Sequence, residues 1–161
     1  LIFMGSEFGQ PSEWSEQRGL DWWILDQPVH QGLQKLVGQL NRVYSATPAL
    51  WEQDNDAAGF EWIDGGNAAQ NVVAFLRWSR SGEPLVGIFN FSGNPIGPYR
   101  IGLPFAGMWR EIINTDAAEF GGSGVGNYGS VTAVDEAYQG RPASVELTLP
   151  PLGGLWLAPE R

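Results

Sequence analysis

Hydrophobic and polar positions change period twice along the chain. Leu1-Ile2-Phe3-Met4 is a short unbroken apolar run, the pattern of a strand buried on both faces, and Gly5-Ser6 ends it. With no turn before it, this run reads as the continuation of a longer protein. Residues 5–27 keep no period: Gly9, Pro11 and Gly19 punctuate them, and Glu7, Glu13, Glu16, Asp21 and Asp26 are interspersed with Phe8, Trp14, Trp22 and Trp23. A loop of this length is usually functional. From Pro28, apolar residues recur in steps of three and four at Val29, Leu33, Leu36, Val37, Leu40, Val43 and Tyr44, which predicts an amphipathic helix over 28–46. His30, Gln34, Lys35, Gln39 and Arg42 fall on its far side. Pro28 suits the first turn, Asp26 is the candidate N-cap, and Thr47-Pro48 stops the helix, because a residue before proline avoids the α region.

After Gly59 the period shortens to that of strands. Phe60 to Ile63, Val72 to Trp78, Leu85 to Phe91, Tyr99 to Leu103, Met108 to Ile113, Val145 to Leu149 and Leu155 to Ala158 are short aliphatic and aromatic runs separated by glycine- and proline-rich turns. About seven such strands predict an antiparallel β-sandwich. Thr115 to Pro142 reads as a long glycine-rich excursion. Trp62, Trp78 and Trp109 sit in strands and can face either side, since a slip of one residue exchanges the faces.

Composition narrows the function. At 161 residues the chain hides roughly 17,000 of about 25,000 Å² on folding, enough for a core without staples. It has no cysteine, which excludes disulfides, a thiol nucleophile and Cys-ligated metal, and permits a reducing cytoplasm. Lysine and arginine number 9 against 18 acidic residues, a net charge of -9, so nothing offers a phosphate backbone a cationic field. Nucleic acid is not an expected partner, nor is a membrane, because no apolar run approaches the length of a span. Eight tryptophans and eight phenylalanines exceed what a core of this size needs, and a broad apolar ring is the natural stacking surface for a sugar.

Catalytic chemistry is hard to assemble from what remains. The single histidine, His30, lies near a helix start, where its charged form opposes the dipole, so a Ser-His-Asp site is not expected. Gly124-Val125-Gly126-Asn127-Tyr128-Gly129 spells G-x-G-x-x-G but lacks the strand before it and the helix after it that a dinucleotide needs. Glycosyl transfer uses paired carboxylates, and Glu7, Glu13 and Glu16 stand among aromatics that can line a sugar groove. A loop does not by itself hold two of them at a working separation, so no catalytic residue, metal site or cofactor is expected.

Several segments together resemble one family. Leu1 through Gln10, Glu13-Trp14 and Gly19-Leu20-Asp21-Trp22 are similar to the final barrel strand and following loop of glycogen branching enzymes, members of the α-amylase superfamily. Gly59-Phe60-Glu61-Trp62, Trp109 through Asp116, Leu149-Pro150-Pro151-Leu152 and Trp156-Leu157 resemble that family's carboxy-terminal domain. The resemblance implies a mainly β chain: residues 1–46 as the last βα unit of a (β/α)8 barrel, and 47–161 as a carboxy-terminal antiparallel β-sandwich. It also implies a parent enzyme that cuts α-1,4-glucan and re-attaches the segment by an α-1,6 bond, with glycogen or amylose and the rest of the barrel as partners. The family's catalytic acids come from earlier barrel strands, so this chain alone is expected to be inactive. The resemblance makes Glu7, Phe8, Gln10 and Trp14 the candidate substrate contacts, as part of the cleft wall, with Glu7 alternatively tying the loop to the barrel by hydrogen bonds. In the competing reading it is a stand-alone carbohydrate-binding sandwich, and in a third a generic sandwich with a protein partner.

Overall fold

The computed structural model describes residues 3–160. Eight strands follow one helix: α1 (Pro28–Ala46), β1 (Phe60–Asn67), β2 (Val72–Trp78), β3 (Pro84–Asn90), β4 (Ile96–Leu103), β5 (Gly107–Asn114), β6 (Ser130–Ala133), β7 (Ala143–Leu149) and β8 (Gly153–Pro159). They form a six-stranded sheet in the order β1-β2-β3-β8-β5-β6 and a two-stranded sheet of β4 and β7, with every pairing antiparallel. Alternation along the strands fills the space between the sheets. Ala74, Leu76, Val86, Ile88, Leu155, Leu157 and Trp109 from the large sheet meet Ile101, Leu103, Val145 and Leu147 from the small one.

The expected sandwich is therefore present, with one strand more than the seven apolar runs indicate. The addition is β6, inside the glycine-rich excursion; it is four residues long and pairs only with β5 at the sheet edge. The opening strand falls partly on Leu1 and Ile2, which lie outside the described residues. Phe3 and Met4 are in no strand: both are exposed, and Phe3 O accepts from Ser6 N at 3.0 Å as the chain turns.

The helix begins and ends where the periodicity places it, though its N-cap is Gln27 rather than Asp26, and no side chain bonds the free amides there. Its apolar stripe is only partly covered. Leu33, Leu36, Val37, Leu40 and Val43 are half-buried, Val29 and Tyr44 are exposed, and Gly32 alone in the helix is fully buried. Gly32 is where α1 meets the sandwich: a Cβ there would lie 2.3 Å from the Phe120 carbonyl oxygen. Lys35 and Glu119 pair at 2.7 Å beside it. The chain exposes 9133 Å², roughly 1,200 Å² above the ~7,900 Å² expected of a compact monomer of this mass. Among the described residues no helix is long and apolar enough to cross a membrane.

The face of each strand tryptophan is now fixed. Trp109 points into the core with no accessible surface, Trp62 stands 59% exposed on the outer face, and Trp78 is half-buried with an unpartnered Nε1. One polar link ties β1 to β4: the Tyr99 hydroxyl donates to Asp64 Oδ2 at 2.6 Å and accepts from Asn67 Nδ2 at 3.1 Å. Burial, then the bond to Asp64, pushes the Tyr99 pKa up to about 12. The folded state thus favours the neutral phenol, and its contribution is complete below pH ~10 and lost as pH rises to about 12. Chemical denaturation across that interval should show stability falling with pH in the native chain, and a shallower fall in Tyr99→Phe.

Candidate functional site

Residues 5–27 fold into a fastened loop against the start of α1. Gly5 and Gly9 flank the 3-10 turn Ser6–Phe8, with φ of 95° and 71° that suit glycine. Gly9 also admits Leu33, whose Cδ2 would lie 2.9 Å from a Cβ at that position. Phe8 is wholly buried and packs against Trp22 with centroids 4.8 Å apart and ring planes tilted by 32°. Its carbonyl lies 2.8 Å from His30 Nδ1, and because a carbonyl only accepts, this bond places the ring proton on Nδ1. His30 therefore turns toward the loop, not to the solvent side that periodicity assigns it.

The polar side chains fasten the same loop. Gln10 Oε1 accepts from Asp21 N at 2.7 Å while its Nε2 donates to Ser12 O at 3.1 Å. Asp21 receives the Ser12 hydroxyl and pairs with Arg18 at 3.3 Å. Glu7 Oε2 accepts from Gly5 N at 3.1 Å. Of the four candidate contacts, Trp14 presents the most surface, being 47% exposed and edge-on to Phe3 at 5.7 Å. Glu7 and Gln10 are partly accessible. Phe8 has no free surface and holds the loop up from beneath. Sequence reasoning passed over Trp22 and Trp23 as contacts, yet they are 54% and 67% exposed on the adjacent 3-10 turn. A 3-10 segment this short carries no periodicity from which their exposure can be read.

Between this loop, α1 and the 115–122 segment lies an open, mostly apolar cleft of about 440 Å³, lined by Gly9, Val29, His30, Leu33, Leu36 and Phe120 among others. Its walls carry no carboxylate, so it is a surface for packing rather than for acid-base chemistry. Among the described residues no cluster of three or more His, Cys, Asp or Glu is arranged to hold a metal ion.

Comparison with known proteins gives this arrangement a context. An alpha-amylase crystal structure from H. orenii superposes with a TM-score of 0.47 at 21% identity, over 80% of this chain and 20% of that one. The 1,4-alpha-glucan branching enzyme GlgB of Leifsonia xyli subsp. xyli is 67% identical over 98% of this chain and 21% of its own length. That of Rhodococcus jostii is 53% identical over 100% of this chain and 22% of its own. The chain thus spans about a fifth of the length of the relatives it matches, and corresponds to their C-terminal part. Residues 62–160, which cover nearly all of the sandwich, match the alpha amylase C-terminal all-beta domain, and the chain belongs to that family.

Proposed function

We propose that the chain is the carboxy-terminal support of a glycogen branching enzyme, with residues 1–46 closing a (β/α)8 barrel and 47–161 forming a sandwich that braces it. The observation that carries this reading is the half-covered stripe of α1. Leu33, Leu36, Leu40 and Val43 are apolar, aligned and only half-buried, in a chain with roughly 1,200 Å² of surface beyond the compact expectation. The identity to branching enzymes supplies the occupant: the remainder of their length.

In this reading the parent cuts an α-1,4-glucan such as amylose or glycogen and rejoins the segment through an α-1,6 bond, using acids borne on other strands of the barrel. Glu7, Gln10 and Trp14 form part of the cleft wall, with Phe8 beneath them, and contribute binding and position only. The lack of cysteine suits a cytoplasmic enzyme. An iodine assay with amylose tests the proposal. The chain alone should leave the absorbance unchanged, whereas a polypeptide extended to the length of the relatives should lower it. Branching by the 161-residue chain itself would overturn the reading.

A further inference from the structure

Residues 47–59 join the end of α1 to the start of β1, a place where few contacts and free relative motion are the usual expectation. The contacts here are dense. Glu52, Gln53 and Asp54 are consecutive, and each holds a different group along the end of β2 and the turn that follows it. Glu52 Oε2 accepts from Arg80 N at 2.9 Å, Gln53 Nε2 donates to Trp78 O at 3.1 Å, and Asp54 pairs with the Arg77 guanidinium. Partner numbers fall as linker numbers rise, so the segment lies antiparallel to the chain it grips, side chain by side chain. Arg77 also donates through Nε to Gly59 O at 3.0 Å, and its Nη2 lies 3.5 Å from Leu50 O. One arginine, its side chain only 18% exposed, thus gathers the beginning, middle and end of the segment.

The segment is closed upon itself as well. Pro48–Leu50 is a 3-10 turn with Ala49 buried, Glu52 N donates to Pro48 O at 2.9 Å, and the Asp56 carboxylate accepts from Ala58 N at 2.9 Å. A Cβ on Gly59 would collide with the Gln53 carbonyl. These bonds bear on the direction of α1. The helix meets the sandwich near its start, where Gly32 faces Phe120 and Lys35 pairs with Glu119. A hold at one end leaves a pivot, and with 19 residues, about 28 Å, a small rotation there would swing the far end. A second hold just beyond Ala46 removes the pivot. A planar guanidinium suits that task, because its fork meets several acceptors in set directions.

We propose that residues 48–59 form a rigid bracket that fixes the direction of α1 across the sandwich, with Arg77 as its positioning residue. The bracket rests on these contacts alone; its use, to carry the sandwich as a fixed body on a barrel, rests on the proposed branching-enzyme reading. The chain has no cysteine, so spin labels can be placed without background at Asn41→Cys on α1 and Glu146→Cys on β7, both exposed positions. Double electron-electron resonance on the otherwise native 161-residue chain should give one narrow distance peak. Arg77→Ala should turn it into a broad distribution, and Arg77→Lys should fall between, since an ammonium keeps the charge pair with Asp54 but cannot span three acceptors. Glu52→Ala combined with Asp54→Ala, a change confined to the linker, should broaden the peak too. Arg110→Ala, which removes an exposed arginine from β5, should leave it narrow. Urea titration of each labelled sample establishes that its sandwich is folded, and the linker double variant decides if Arg77→Ala is not. A broad distribution in the native chain overturns the bracket, as does a peak that stays narrow in the linker double variant. A peak that broadens there but stays narrow in folded Arg77→Ala overturns the role of Arg77. None of these readings uses the iodine assay, so the bracket and the branching reading fail separately.

Discussion

Trp109→Ala is expected to cost the sandwich about 3–5 kcal/mol, a large part of the ~5–15 kcal/mol that holds a domain of this size together. Among the described residues Trp109 is the largest side chain with no accessible surface. It enters the core from β5, stacks on Phe105 at 5.2 Å, and reaches the Phe105 carbonyl with its Nε1 at 3.4 Å. Truncation removes the burial of the indole and leaves a cavity between two sheets whose spacing the other strands fix, so little collapse can offset it. Urea titration should show the midpoint falling sharply with an unchanged slope. A loss below about 1 kcal/mol would mean that the inner face has been assigned to the wrong residue.

The second large effect separates α1 from the sandwich. Alanine normally favours a helix over glycine by about 1 kcal/mol, so Gly32→Ala viewed locally should stabilise α1. The geometry reverses the sign. The added methyl would meet backbone, 2.3 Å from the Phe120 oxygen and 2.6 Å from its carbon, and the 115–122 segment is tied down by Asn114 and Asp116, which leaves little room to retreat. Overpacking of this kind costs about 1–3 kcal/mol. Helical ellipticity in Gly32→Ala should melt ahead of the sheet signal. Gly38→Ala is the control: its Cβ would meet only Arg42 Nη1, at 3.6 Å, and it should be neutral or stabilising. Equal behaviour of the two variants would remove Gly32 as the docking point.

How much of this was legible beforehand follows from the range of the interactions involved. The helix bounds and seven strands are local patterns of period, and they stand where the sequence puts them. The edge strand β6 was hidden because only Val131 and Ala133 of its four residues are apolar and glycines surround it. The face of Trp62 against that of Trp109 depends on register, which the neighbouring strands set. The loop was least legible. Gln10 accepts from an amide eleven residues away and the Phe8 ring packs on Trp22 beneath the loop, contacts that depend on the folded loop and not on any local pattern. Trp14 retains the exposure that a contact needs.

The proposal that a (β/α)8 barrel covers the apolar stripe of α1 is tested most directly by hydrogen exchange over residues 33–43. Those amides are to be compared in this chain alone and in a polypeptide extended to the length of its branching-enzyme relatives. The account predicts that their protection rises markedly in the extended protein while that of β2, β3 and β8 stays as it is. Identical protection of α1 in both would show that nothing covers the stripe, and would contradict the account.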